Sequence, residues 1–193
     1  MKKTARVLIT KECHRHCPQC CNNYPQIMAA MRPIYRIADL RGYENIVITG
    51  GEPLLFPEYT AELITDLFLD ARVSKDAWAH KTPRIYLYTT LWHPCLNRIY
   101  AWLDGVTFTL HSGAGTAELM DFDRTQLYLL GHRHLSGRAV IYPHNRGLTI
   151  IPDAWQRLEV KDYCTEAELL ARNPGGIGAD EDLLYLSRGV HLE

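Results

Sequence analysis

Six β-rich runs alternate with helix-forming stretches along the 193-residue chain, and that alternation restricts it to a handful of architectures. The runs fall at 4–10, 45–49, 84–90, 106–110, 138–142 and 158–163. After Pro57, the apolar residues Leu63, Ile64, Leu67 and Phe68 recur at helical spacing, and 96–103 reads as a helix followed by Gly105. The stretch 116–130 has Thr116 as an N-cap and Leu119, Phe122, Leu127 and Leu130 among its apolar positions. Strands joined through helices pair in parallel by right-handed crossovers, which predicts an α/β fold. A closed eightfold barrel takes about 250 residues, so an open sheet or an incomplete barrel is expected. Two stretches read as helical without a clear strand: 27–40, interrupted at Pro33 and stopped by Arg41-Gly42, and the tail 165–188. That tail reads as one helix to Arg172, a break at Pro174-Gly175-Gly176 and a weaker second helix. No repeat or linker divides the chain, so 1–193 is expected to be one domain, with 165–193 an extension packing on it.

The loop that leaves the first run is Lys11-Glu12-Cys13-His14-Arg15-His16-Cys17-Pro18-Gln19-Cys20-Cys21-Asn22-Asn23. Cys13, Cys17 and Cys20 are separated by three and then two residues, so three thiolates can converge in one excursion of the chain. Thiolate is the ligand that iron-sulfur clusters prefer, and a fourth protein ligand is not needed where a bound molecule supplies it. A zinc site takes four ligands, commonly as two separated pairs, and the adjacent Cys20-Cys21 with His14 and His16 inside the first gap disfavours that arrangement. A disulfide framework needs an oxidising compartment, whereas the apolar run after Met1-Lys2-Lys3-Thr4-Ala5-Arg6 is too short for a secretory core. Six cysteines therefore point to a reducing cytoplasm.

The spacing C-x-x-x-C-x-x-C resembles the motif of the radical SAM superfamily, and Ile46-Val47-Ile48-Thr49-Gly50-Gly51-Glu52-Pro53-Leu54 resembles that family's strand ending in Gly-Gly-Glu-Pro. One residue departs from the pattern: Gln19 stands before the third cysteine, where the family often has an aromatic or apolar residue near the adenine. The resemblance implies a partial (βα)6 TIM-like barrel with mostly parallel strands, open on one side. It also implies a [4Fe-4S] cluster on Cys13, Cys17 and Cys20 and S-adenosylmethionine as cosubstrate. Gly50 and Gly51 would let backbone approach the methionyl end of the cosubstrate, so a side chain at Gly51 would block binding while leaving the cysteine loop, on another segment, undisturbed. Glu52 would either accept from that ligand or brace the cysteine loop, and Pro53 reads as structural.

In parallel α/β folds, ligands gather at the C-terminal strand ends. Those ends offer Thr89 and Thr90, then His111 and Ser112, as further cosubstrate contacts, and Tyr142, His144 and Asn145 as contacts to adenosine or substrate. Cys95 and Cys164 each follow a strand and are candidates for the same crevice, although buried inert cysteine is the better reading of each. Cys21 reads as a bystander. An electron donor such as flavodoxin or ferredoxin is implied as a partner. The segment Cys17-Pro18-Gln19-Cys20 followed by Asn22 is similar to the cysteine loop of the small activases of anaerobic ribonucleotide reductase, which implies a protein partner bearing a glycine. A small molecule or nucleotide such as a deazapurine precursor is the alternative substrate, and an electron carrier without catalysis is the alternative from another class. Carriers usually close their cluster with a fourth cysteine. The net charge of −1 supplies no basic field for nucleic acid, the tryptophans and tyrosines form no stacking series, and no run is long enough to span a membrane.

Overall fold

The computed structural model describes residues 3–17, 20–74, 76, 83–172 and 178–186. Gln19, most of the polar connection at 73–83, the break at 174–176 and the last residues, 187–193, lie outside the described residues. The strands are β1 (Thr4–Leu8), β2 (Arg32–Ile34), β3 (Asn45–Thr49), β4 (Arg84–Thr89), β5 (Gly105–Leu110), β6 (Ser136–Ile141), β7 (Arg157–Val160) and β8 (Glu181–Leu186). They form one eight-stranded sheet in the order β2-β8-β1-β3-β4-β5-β6-β7. Every pairing is parallel, and the sheet is not closed. The helices are α1 (Pro25–Ala29), α2 (Pro57–Val73), α3 (Leu96–Ile99), α4 (Thr116–Gly131) and α5 (Glu166–Arg172). Among the described residues, no helix is long and apolar enough to cross a membrane.

Two helical expectations are corrected. Within 27–40 the α-helix ends at Ala29, Arg32–Ile34 is a strand containing Pro33, and Ile37–Leu40 is a short 3-10 turn. Proline survives there because β2 is an edge strand, where a missing N–H leaves no central ladder position unpaired. The weaker second helix of the tail is instead β8, inserted between β2 and β1. Its Leu184 and Leu186 join the main core, while Leu183 packs with Leu8 and Ile27 on the other side. A strand buried on both faces loses the alternation that would reveal it.

Register explains the division of the sheet into two unlike faces. Ala5, Ile46 and Ile85 stand in one row, and Val7, Ile48, Leu87 and Val106 in the next. These side chains are buried and pack with Leu63, Ile64 and Leu67 of α2 and with Phe122 and Leu129 of α4. The alternate positions are mostly polar: Arg6, Tyr86, Tyr88, Thr107, Arg138 and Glu181 line a cavity of about 300 Å³ together with Thr4, Val47 and Arg157. In a flat sheet β8 and β7 would lie six inter-strand steps apart, about 29 Å, so the strands must curl for Glu181 and Arg157 to share one cavity.

A chain of polar contacts crosses the concave face. Arg6 Nε and Nη2 donate to Glu181 at 2.8 and 3.0 Å, and its guanidinium carbon stands 5.3 Å from the centroid of the Tyr88 ring. From the far side, Arg138 Nη1 donates to Tyr88 Oη at 3.1 Å while Nε and Nη2 both donate to Glu159 at 2.9 Å. The belt thus ties β8, β1, β4, β6 and β7 side chain to side chain across the concave face, in addition to the ladders that pair β8 with β1 and β6 with β7. Arg138→Met should leave the Glu159 carboxylate short of its main partner and lower the unfolding free energy by about 2 kcal/mol at neutral pH, measured by urea titration. The Arg138 hydrogen bonds hold Glu159 down at about 2, from an ordinary 4.5. A depressed folded-state value gives stability that is present above the ordinary value and lost as the pH falls through the depressed one. The wild-type advantage should therefore shrink between about pH 4.5 and 2, and equal stability at neutral pH would show that the belt bears no strain of the curl.

Candidate functional site

Because all strands run the same way, their C-terminal ends share one rim, and a second cavity of about 310 Å³ opens there. Cys17, Cys20 and Tyr24 enter it from the loop after β1, and Gly50, Gly51 and Glu52 from the end of β3. Thr89 and Thr90 come from β4, Thr109 and His111 from β5, Tyr142 from β6, and Tyr163 and Cys164 from beyond β7. Six segments separated in sequence are thereby brought to one place.

The cysteine loop is fastened directly to the glycine turn. Thr10 Oγ1 accepts from the Glu12 N–H at 3.0 Å and turns the chain out of β1. Gly51 N–H then donates to Thr10 O, and Glu52 N–H to Glu12 O, both at 2.7 Å, so the two segments stay paired beyond the strand ends. Asn22 Nδ2 adds a bond to Gly50 O at 3.1 Å, and Asn23 Nδ2 one to Cys17 O at 3.1 Å. A Cβ on Gly51 would stand 1.9 Å from Glu12 O, and one on Gly50, whose φ is +146°, 2.5 Å from Thr10 O. The close approach that requires glycine is thus to the cysteine loop, which corrects the expectation that a side chain at Gly51 would leave that loop undisturbed. Gly50 and Gly51 still line the cavity.

Glu52 is fully buried. Its Oε1 accepts from Leu54 N–H at 2.9 Å and Thr89 Oγ1 at 2.6 Å, and its Oε2 from Thr90 N–H at 2.6 Å and Thr90 Oγ1 at 2.8 Å. Burial pushes the carboxyl above its usual range, and these four donors work against that. Glu52 therefore joins the ends of β3 and β4 through the hydroxyls of Thr89 and Thr90, which also line the cavity.

Around Cys17 the surroundings are aromatic and cationic. Its Sγ lies 3.5 Å from His111 Nδ1, which is 3.2 Å from Tyr163 Oη. The His111 and Tyr142 rings are parallel within 4° at 5.6 Å, and Tyr142 stacks on Tyr163 at 4.1 Å. Burial, and then the nearby Arg15 charge, lower His111 to about 4, so its imidazole is neutral at physiological pH. Cys13 accepts from the backbone N–H groups of Arg15 and His16, which partly offset the rise that burial imposes on its thiol. His16 adopts a left-handed φ of 46°, the local turn that folds these N–H groups back.

Several expected residues stand apart. Ser112 contributes backbone: its N–H donates to Tyr163 Oη at 3.4 Å and its carbonyl accepts from Arg15. Asn145 braces the rim by donating to Tyr142 O at 2.8 Å and accepting from Ala114 N–H at 2.9 Å, while neither it nor His144 lines the cavity. Cys95 is corrected from a crevice candidate to a core residue: it is 2% exposed, and burial lifts its thiol to about 11. Cys164 does line the cavity. The sequence reading missed Arg15, Tyr24, Tyr88, Glu118 and Tyr163. Of these, Tyr163 had a usable signal, since it closes the last β-rich run.

Among the described residues, no three His, Cys, Asp or Glu side chains gather closely enough to hold a single metal ion. A cubane cluster makes a different demand, because each thiolate binds a different iron at a different corner. Cys17 and Cys20 on the cavity wall, with Cys13 on the same loop, offer thiolates of that kind, and a buried N–H of Arg15 without a hydrogen-bond partner among the described residues stands beside Cys17. No protein-family model matches the chain, and no curated protein matches it.

Proposed function

We propose that this chain is a radical SAM enzyme built on a partial (βα)6 TIM-like barrel, in which β1 and β3 to β7 form the six-stranded arc and β8 and β2 extend it. The observation that carries the reading is the direct pairing of the cysteine loop with Gly50-Gly51-Glu52 at the mouth of one cavity. Cys13, Cys17 and Cys20 would hold a [4Fe-4S] cluster. When bound and reduced by an electron donor such as flavodoxin or ferredoxin, the cluster supplies one electron to S-adenosylmethionine, which yields methionine and a 5′-deoxyadenosyl radical that takes a hydrogen atom from substrate.

The chain's own residues supply placement. Gly50 and Gly51 present backbone at the cavity wall, Glu52 locks the ends of β3 and β4, and the flat surface of Tyr142 and Tyr163 suits a planar base. His111, held neutral, adds no charge beside the cysteines. The substrate in this reading is a glycine-bearing protein partner, whose loop would enter where the sheet is open.

Anaerobic reconstitution followed by iron and sulfide analysis tests the cluster. Incubating the reduced protein with S-adenosylmethionine and a partner peptide deuterated at the glycine α-carbon tests the substrate. Deuterium in 5′-deoxyadenosine together with a lasting radical on the peptide is expected. Label transferred instead from a small molecule such as a deazapurine precursor, with no lasting radical, would replace the protein partner by that class. A cluster that cycles electrons without any 5′-deoxyadenosine would mark an electron carrier.

A further inference from the structure

The guanidinium of Arg15, between the first two cysteines, is held by two of its three nitrogens. Nη1 donates to the Glu118 carboxylate, and Nη2 donates to Ser112 O at 3.1 Å. Glu118 is itself fixed at the start of α4, where its Oε2 accepts from Gly115 N–H at 2.5 Å. The side chains of Arg15 and Glu118 are 18% and 17% exposed, so this is a well-shielded pair across 103 residues of sequence. The third nitrogen, Nε, is buried with no hydrogen-bond partner among the described residues. An unsatisfied buried donor on a charged group is costly, and a latch between loop and helix needs only the two Nη groups. The Arg15 side chain lies close to Cys17, whose Sγ stands 3.5 Å from His111 Nδ1.

Resting on the radical SAM reading, we propose that Arg15 is a positioning residue of the cysteine loop whose Nε–H donates to sulfur at the Cys17 corner of the cluster and raises its reduction potential. Reduction adds negative charge to the cluster, and both a hydrogen bond to sulfur and a nearby guanidinium favour the more negative state. The Glu118 carboxylate works in the opposite direction while keeping the guanidinium aimed. Electron entry is thereby tuned by a residue that touches no substrate.

The test compares wild type, Arg15→Met, Arg15→Lys and Glu118→Gln after anaerobic reconstitution, with iron and sulfide content and a redox titration followed by electron paramagnetic resonance. Thermal unfolding of each metal-free variant checks the fold. The expected result is equal iron content, with the Arg15→Met midpoint lowered by at least a tenfold change in the ratio of reduced to oxidised cluster, about 59 mV for one electron. Arg15→Lys should recover part of that shift, because it restores charge without the planar fork. Glu118→Gln should move the midpoint upward. Opposite signs for the two partners are what a purely structural latch cannot give. An unchanged midpoint in Arg15→Met at full iron content would overturn the proposal, as would loss of iron in both variants, which would reduce the pair to a latch. Failure of the wild type to take up iron and sulfide would be a distinct result, removing the radical SAM reading and this inference with it.

Discussion

Gly51→Val is expected to destabilise the metal-free protein by at least about 3 kcal/mol. The reason is geometric: the new Cβ would stand 1.9 Å from Glu12 O, and the obstructing atom is backbone that cannot swing away. Relief requires breaking the Gly51-to-Thr10 and Glu52-to-Glu12 hydrogen bonds, which are the joints between the glycine turn and the cysteine loop. The variant should therefore lose stability with no ligand present and also fail to hold iron after reconstitution. Urea unfolding of metal-free wild type and variant decides the point. Equal stability, with only ligand affinity reduced, would mean that this glycine serves the ligand rather than the loop.

The second large effect concerns the thiolates. Cys13→Ala, Cys17→Ala and Cys20→Ala should each abolish retention of the roughly four irons per chain that a cubane contains, whereas Cys21→Ala, Cys95→Ala and Cys164→Ala should retain them. Removing a sulfur is a small change in volume, so the metal-free fold should survive in the first three, as circular dichroism would show. Cys95 is the sharpest control. It is a cysteine of the same chain, buried in the core with a thiol raised to about 11, and it does not line the rim cavity. Full iron in Cys17→Ala would remove the cluster assignment.

The rows of β-branched and leucine residues at 45–49, 84–89 and 106–110 announced their strands because one face of each is sealed by α2 and α4. β2 and β8 were illegible for local reasons. Three residues with a central proline carry no period, and β8 has leucines on both faces because Ile27 of α1 covers one of them. Of the site, the cysteines and the glycine turn were legible as motifs, but their mutual hydrogen bonds depend on β1 and β3 being neighbours, which sequence order conceals. The Arg15–Glu118 pair lies beyond any local pattern, since its members meet only when α4 docks on the rim. Thr89 and Thr90 were legible as polar strand ends, but their hydrogen bonds to buried Glu52 were not, because that carboxylate reaches them from the end of a different strand.

The most direct test of the radical SAM reading is formation of 5′-deoxyadenosine by the reconstituted protein under strict anaerobiosis, with S-adenosylmethionine, a competent reductant and mass-spectrometric detection. The expected result is slow formation of 5′-deoxyadenosine with an equal amount of methionine in wild type, accelerated by substrate and absent in Cys17→Ala. No 5′-deoxyadenosine from a wild-type protein that holds its full iron and sulfide would contradict it.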